Sequence, residues 1–271
     1  MRRLLITGAA GGLGQGILDF LRPHFALRLL DIVPVSKLHP GDEEVTGDLA
    51  DPDFATRAVA GCEAVLHLAA VHGLTIPFEA TLNSNYRAVL NLMEAARVER
   101  IRPIAFASSN HGWGFHPRTS APLAVTSPPR PDGWYAVSKV WGEAVMALYG
   151  DAYGMATTSL RIGNCGPDVP DERRSHMWIS YRDLASLIVI ALQREDPGHR
   201  ALFACGECPD PFFDTSSAKE LGFSPLDPAI DHLADPGIAD QSPSDGMAGL
   251  AIGGAFAAAN FQADIHNWSK S

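Results

Sequence analysis

The sequence predicts an α/β chain folded as a doubly wound parallel sheet, and three observations carry the prediction. Short apolar runs alternate with amphipathic helical stretches up to about residue 205, the order expected of successive strand–helix–strand units. The run Ala64–Ala70 is apolar almost throughout, as a central parallel strand covered on both faces must be. A glycine-rich turn stands between the first apolar run and the first helical stretch.

Each element follows from its local pattern. Leu4-Leu5-Ile6 reads as the first strand, and Ile17, Leu18 and Leu21 mark the buried stripe of the helix after the glycine turn. Leu27–Asp31 is a second strand, Val45–Asp48 a third and Ala64–Ala70 a fourth. A helix is expected from about Pro77 to Val98, with Leu82, Tyr86, Val89, Leu90 and Met93 on its apolar face. Ile104–Ala107 is a fifth strand, followed by a proline-rich loop to about Gly133. Trp134–Tyr149 is helical and Thr157–Ile162 is a sixth strand. The stretch Pro225–Gly254, rich in Pro, Asp, Gly and Ala, has no period that assigns it.

With 271 residues, 46 % of them hydrophobic, the chain can bury a sizeable core. It reads as a single domain, 1–271, with extra C-terminal material. A net charge of −10 argues against nucleic acid or an anionic membrane as a partner. No run of 18 apolar residues occurs and the first strand begins almost at Met1, so neither a membrane span nor a signal peptide is expected. Four cysteines without a framework spacing fit a reducing, cytoplasmic setting. Cys205-Gly-Glu-Cys208 has no second Cys or His pair beside it to complete a zinc site, and no metal is expected.

The turn Gly8-x-x-Gly11-Gly12-Leu13-Gly14 lies between a strand and a helix. Glycines there allow a tight turn and close approach of a pyrophosphate, while the helix N-terminus offers unpaired N–H groups and a favourable dipole. Asp31 ends the second strand, 17 residues after Gly14. A carboxylate at that point accepts the adenosine ribose hydroxyls and repels a 2′-phosphate, which favours NAD over NADP and a Rossmann-like fold. Asp48 and Leu49 close the third strand. They suit the neighbourhood of an adenine, and Asp48 equally suits a turn or helix cap.

Tyr135-Ala-Val-Ser-Lys139 places a phenol and an ammonium four residues apart on a predicted helix, hence on one face. A phenol titrates near about 10, so reaching neutrality takes roughly 4 kcal/mol of differential stabilisation. A neighbouring lysine and a cationic nicotinamide are the expected sources. Ser108-Ser109 stands at the end of the fifth strand, where open α/β sheets bind ligands. A hydroxyl there can hold a substrate oxygen near Tyr135.

With these residues in place the chain resembles the extended short-chain dehydrogenase/reductase family over residues 1 to about 205, and within it the uronate dehydrogenases. The stretches that carry the resemblance are Phe106-Ala-Ser-Ser-Asn110-His111, Arg130-Pro-Asp-Gly-Trp-Tyr135 with Lys139 and Glu143, and Leu160-Arg-Ile-Gly163-Asn-Cys165. Trp178, Asp183 and Gly253-Gly254-Ala255-Phe256 extend it to the C-terminal part. The resemblance implies NAD-dependent oxidation of a hexuronate, galacturonate or glucuronate, at C1 to the aldarolactone. It implies Ser109, Tyr135 and Lys139 as the catalytic set, with Tyr135 as base and Asn85 completing a proton path. Leu68, Ala69, Ala70 and Ile162 join the cofactor-binding residues, together with Asn85, Tyr135 and Lys139. His72, Ser109, Asn110, His111, Asn164, Arg173 and Phe256 fall to the substrate, with residues of about 163–180 and 206–271 as a substrate-side extension. A homo-oligomer is the expected assembly.

Several of these positions keep an ordinary structural alternative. His111 could cap the strand end, Arg173 could belong to a solvated charge run with Arg174, and Phe256 could be core. Arg173 and Arg174 are separated only by a count back from Trp178. Asn164 replaces a serine common in the resembling enzymes, and the loop Val71–Pro77 is one residue longer here. A sugar-nucleotide epimerase or dehydratase on the same fold, and a non-catalytic dinucleotide-sensing protein, are the rival readings.

Overall fold

The computed structural model describes residues 1–268. Seven parallel strands form the main sheet: β1 (Arg3–Thr7), β2 (Ala26–Asp31), β3 (Glu43–Thr46), β4 (Ala64–His67), β5 (Pro103–Ser109), β6 (Ala156–Ile162) and a last strand, Gly198–Ala204. Their order is β3-β2-β1-β4-β5-β6 and then that last strand. The order reverses between β1 and β4, and the strand ends above that reversal are where such sheets bind ligands.

Alternation along β1 builds both faces of the core. Leu4 and Ile6 face α1 (Gly12–Leu21) with Ile17, Leu18 and Leu21, while Leu5 joins Val65, Ile104 and Met93 on the opposite face. On that second face lie α2 (Pro52–Val59), the helix Ala88–Val98 and α5 (Trp134–Tyr153). The helix α5 stops at Gly154, whose φ of 65° sets the left-handed cap.

Three expectations need correction. The third strand starts two residues earlier than the apolar pattern suggests. Leu68-Ala69-Ala70 leave the sheet, so β4 ends at His67. The helix after it is α3 (Phe78–Thr81), a π-helical turn (Leu82–Arg87) and α4 (Ala88–Val98). The π turn inserts a residue and rotates the buried stripe. Leu90 is therefore 48 % exposed, and Asn85, Val89, Leu92 and Met93 point inward.

After β6 the chain makes a small parallel pair, β7 (Asn164–Cys165) and β8 (Trp178–Ile179), separated by α6 (Glu172–Ser175). Next come α7 (Tyr181–Leu192), which packs against α1, and β9 (Gly198–Ala204), the seventh strand of the main sheet. The proline-rich stretch after β5 holds two short 3₁₀ turns, Asn110–Trp113 and Arg118–Ser120. Backbone bonds from Ile252 to His116 and from Gly253 to Gly114 tie the C-terminal stretch onto it. Trp113, Leu123, Met177, Phe203, Phe213 and Ile252 form the apolar cluster beneath. No helix among the described residues is long and apolar enough to cross a membrane.

Candidate active site

A cavity of about 910 Å³ opens at the C-terminal ends of the strands, a volume suited to a cofactor and a small substrate. Of the residues assigned from sequence, all but Asn85 line it. Asn85 instead braces the wall: its carbonyl accepts from Val71 N, and its amide donates to Val71 O and Ser138 Oγ, each at 2.9 Å. Asn85 thereby braces the loop after β4 against Ser138 on α5.

At one end the wall is largely backbone. Gly8 has φ +72°, and a Cβ there would lie 2.7 Å from Ala69 N; a Cβ at Gly14 would lie 2.6 Å from Gly8 O. Only glycine lets the turn, the start of α1 and the end of β4 come this close. No side chain caps α1, so its first N–H groups remain available to an anion. The Asp31 carboxylate accepts from Ala10 N at 2.9 Å and Ile32 N at 2.7 Å, which locks the turn to the tip of β2. Ile32 and Val33 follow it, exposed and uncharged, so no cation stands directly after Asp31 to favour a 2′-phosphate. Asp48 Oδ1 accepts from Ala50 N at 2.8 Å while lining the cavity; the turn role and the wall role coexist. These features fit a dinucleotide: a phosphate cradle at Gly8–Gly14 and a ribose acceptor at Asp31.

Tyr135, Lys139 and Ser109 sit at the middle. Tyr135 and Lys139 share one face of α5, and Lys139 Nζ donates to Ala107 O at 2.7 Å, 5.7 Å from the Tyr135 ring centre. Ser109 ends β5, accepting from His111 N at 3.2 Å. Ser108 turns away to donate to Glu143, which is itself paired with Arg161 at 2.9 Å. That buried link fixes the end of β5 against α5 and leaves Ser109 as the serine beside Tyr135. Burial dominates both titrations: it pushes the Tyr135 phenol up to about 12, with Ser109 pulling the other way and Asp132 adding to the rise. It brings the Lys139 ammonium down to about 7. Burial thus favours the neutral phenol over the phenolate, so the stabilisation has to come from positive charge in the cavity, the lysine and the cationic nicotinamide that the sequence reading names.

The far end is made of side chains. His111 is 4.0 Å, centre to centre, from Phe256, so Phe256 belongs to the wall rather than to the core. His111 Nδ1 lies 2.7 Å from Asp132 Oδ2, a partner that sequence reasoning missed because it stands 21 positions away. The backbone cap of the 3₁₀ turn is Ser109, which leaves the His111 ring for the cavity. Asn110 donates to Met177 Sδ at 2.9 Å. His72 lies 5.8 Å, ring to ring, from Tyr135, and Asn164 lines the wall beside them. Arg173 donates through Nε to Ile252 O at 2.6 Å, while its Nη2 is buried without a hydrogen-bond partner. Burial lowers its pKa to about 10, still charged at neutrality. Arg174 is instead ion-paired with Asp171. The thiols of Cys205 and Cys208 are pushed up by burial, and Cys208 donates to Trp178 O. Among the described residues no group of three or more His, Cys, Asp or Glu is arranged to hold a metal.

Comparison with known proteins agrees with this arrangement. The model of the NAD dependent epimerase/dehydratase family matches residues 4–183. A uronate dehydrogenase of Pseudomonas syringae pv. tomato is 37 % identical over 258 residues, spanning 94 % of this chain and 93 % of that one. The crystal structure of a mutant uronate dehydrogenase from Agrobacterium tumefaciens complexed with NAD superposes with a TM-score of 0.86 at 35 % identity, covering 95 % of this chain and 97 % of that one. A glucuronic acid dehydrogenase from Chromohalobacter salexigens gives 0.88 at 33 % identity, with the same coverage. With the glycine turn, the strand-end carboxylate and the tyrosine–lysine pair in one cavity, the chain belongs to the NAD dependent epimerase/dehydratase family.

Proposed function

We propose that the chain is an NAD-dependent dehydrogenase that oxidises a hexuronate at C1 to the aldarolactone. The observation that carries this reading is Arg173: a guanidinium in the cavity wall with a buried nitrogen that has no partner. A buried guanidinium N–H without an acceptor is costly, and a substrate carboxylate would answer it through two parallel hydrogen bonds.

Tyr135 takes the proton of the C1 hydroxyl, and Ser109 holds that oxygen within reach. Oxidised NAD, when bound along Gly8–Gly14 and Asp31, is the acceptor of the hydride from C1. Lys139 supplies the positive charge that favours the phenolate over the phenol, and the Ala107 carbonyl fixes its ammonium. Burial opposes charge on both groups, so the Tyr135 phenolate depends on positive charge held close to its oxygen.

The test is NADH absorbance with NAD and a panel of sugars, sugar acids and nucleotide sugars. Steady NADH formation with galacturonate or glucuronate, needing no nucleotide sugar, is the expected result. Turnover of nucleotide sugars alone would assign the chain to epimerase or dehydratase chemistry instead.

A further inference from the structure

Asp132 is a carboxylate that the mechanism above leaves unused. It is fully buried. One oxygen, Oδ2, receives the His111 ring at 2.7 Å, and the other, Oδ1, is buried without a partner. Its position is fixed by backbone pairing: Asp132 N donates to His111 O, Arg130 N to Gly112 O and Phe115 N to Arg130 O, at 3.3, 2.8 and 2.9 Å. Two remote glycines leave room for the carboxylate. A Cβ on Gly114 would stand 1.9 Å from Oδ2, and one on Gly253 would stand 2.2 Å from it. The fold thus brings two separate segments together around a carboxylate whose side-chain hydrogen-bond partner, among the described residues, is His111.

A carboxylate only accepts, so the bonded Nδ1 must carry its proton toward Asp132. With Nδ1 carrying the single ring proton, the lone pair of Nε2 turns outward. His111 lines the cavity and makes no other ring hydrogen bond among the described residues. Phe256 at 4.0 Å and Tyr135 at 6.4 Å, ring centre to ring centre, hold the imidazole in place.

We infer that Asp132 is a positioning residue that makes His111 a hydrogen-bond acceptor for a ring hydroxyl of the substrate, and thereby a determinant of sugar specificity. The inference rests on the hexuronate reading above. Arg173 can only donate, to the acid group; the Nδ1–H tautomer of His111 that Asp132 selects offers Nε2 as an acceptor to a hydroxyl. The two ends of the sugar cavity therefore recognise opposite halves of a hydroxy acid and fix its direction relative to Tyr135. Asp132→Asn keeps the volume that Gly114 and Gly253 allow, but its carboxamide can turn an N–H toward Nδ1. The ring then moves its proton to Nε2, and the acceptor facing the cavity becomes a donor.

Two-bond proton–nitrogen correlations of the histidine rings read this directly, with the His111 signals assigned by their loss in His111→Gln. The expected result is Nδ1–H in the wild type and Nε2–H in Asp132→Asn. In steady-state kinetics Asp132→Asn should raise KM for the hexuronate about tenfold, while kcat and KM for NAD move by less than about threefold. Among mono-deoxy hexuronates, one should lose about tenfold against wild type and nothing further against Asp132→Asn. An Nε2–H tautomer in the wild type, or a variant that switches tautomer without moving KM for the hexuronate, overturns the inference. If Asp132→Asn does not fold, the wild-type tautomer and the deoxy series measured on wild type and His111→Gln still decide it. A wild type that oxidises no hexuronate overturns the functional reading and the hydroxyl contact together, whereas a wrong tautomer in an active enzyme overturns only the role of Asp132.

Discussion

The two ends of the cavity are built from different materials. The dinucleotide end is mostly backbone: the Gly8–Gly14 turn, the tips of β1, β2 and β4, and two carboxylates, Asp31 and Asp48. The sugar end is side chains, Asn110, His111, Asn164, Arg173 and Phe256, supplied by four separate stretches of chain. Its parts are held by remote partners: Arg173 by the Ile252 carbonyl 79 positions away, His111 by Asp132. A backbone-built end demands small residues and a turn, and changes little with side-chain substitution. A side-chain-built end can change its preference one residue at a time while the cofactor site stays intact. Tyr135 and Lys139 stand where the two meet.

The largest expected effect is therefore at the junction. Tyr135→Phe removes one oxygen and keeps the ring. It should cut kcat by at least about a hundredfold with NAD affinity, followed by fluorescence titration, nearly unchanged. A variant keeping more than a tenth of the wild-type rate would show that another group is the base. A smaller effect is expected at the backbone-built end. NAD should be preferred over NADP, and Asp31→Ala should narrow that preference by about tenfold, the value of a charge-assisted hydrogen bond or two. KM for the hexuronate should stay put. Because Asp31 also holds Ala10 N and Ile32 N, part of the loss should appear as weaker NAD binding. Equal kcat/KM with NAD and NADP in the wild type would contradict the role given to Asp31.

The smallest expected effect is on stability. Lys139 falls to about 7 in the fold from an ordinary 10.5. Between those values the unfolded chain binds a proton that the folded chain lacks, so its contribution to stability grows as pH rises through the window. Tyr135, raised from 10.0 to about 12, acts oppositely only above about pH 10. Thermal unfolding of the ligand-free protein should show stability rising from about pH 7 to about pH 9 by at most about 1.4 kcal/mol per unit relative to Lys139→Met. Parallel curves for the two proteins would mean that Lys139 is not buried as described.

The same contrast explains what was legible in the sequence. The glycine turn, Asp31 and the order of the first six strands are local patterns, and periodicity alone locates them. The Tyr135–Lys139 pair is legible because four residues are one helical turn. The π-helical turn was not legible, since Leu90 fits a regular stripe and only tertiary packing of Asn85 rotates it outward. The strand β9 went unassigned because its start, Gly198–Ala201, is only half covered and lacks an unbroken apolar run. At the sugar end, Asp132 sat inside a recognised motif but showed no partner, and Arg173 and Arg174 were separable only by count. Their surroundings differ in the fold: Asp171 pairs Arg174, while Arg173 lies under the Ile252–Gly254 stretch.

The acid-selecting end is the central claim, and one ratio tests it: kcat/KM for a hexuronate over kcat/KM for the matching hexose, in wild type and in Arg173→Ala. The account predicts a large ratio in the wild type that collapses in the variant. The collapse should come mainly through KM for the acid and correspond to about 2–5 kcal/mol for a lost partner of a buried charge, with the hexose little changed. A wild type that oxidises the hexose as well as the hexuronate, or an Arg173→Ala enzyme with unaltered hexuronate kinetics, would contradict it.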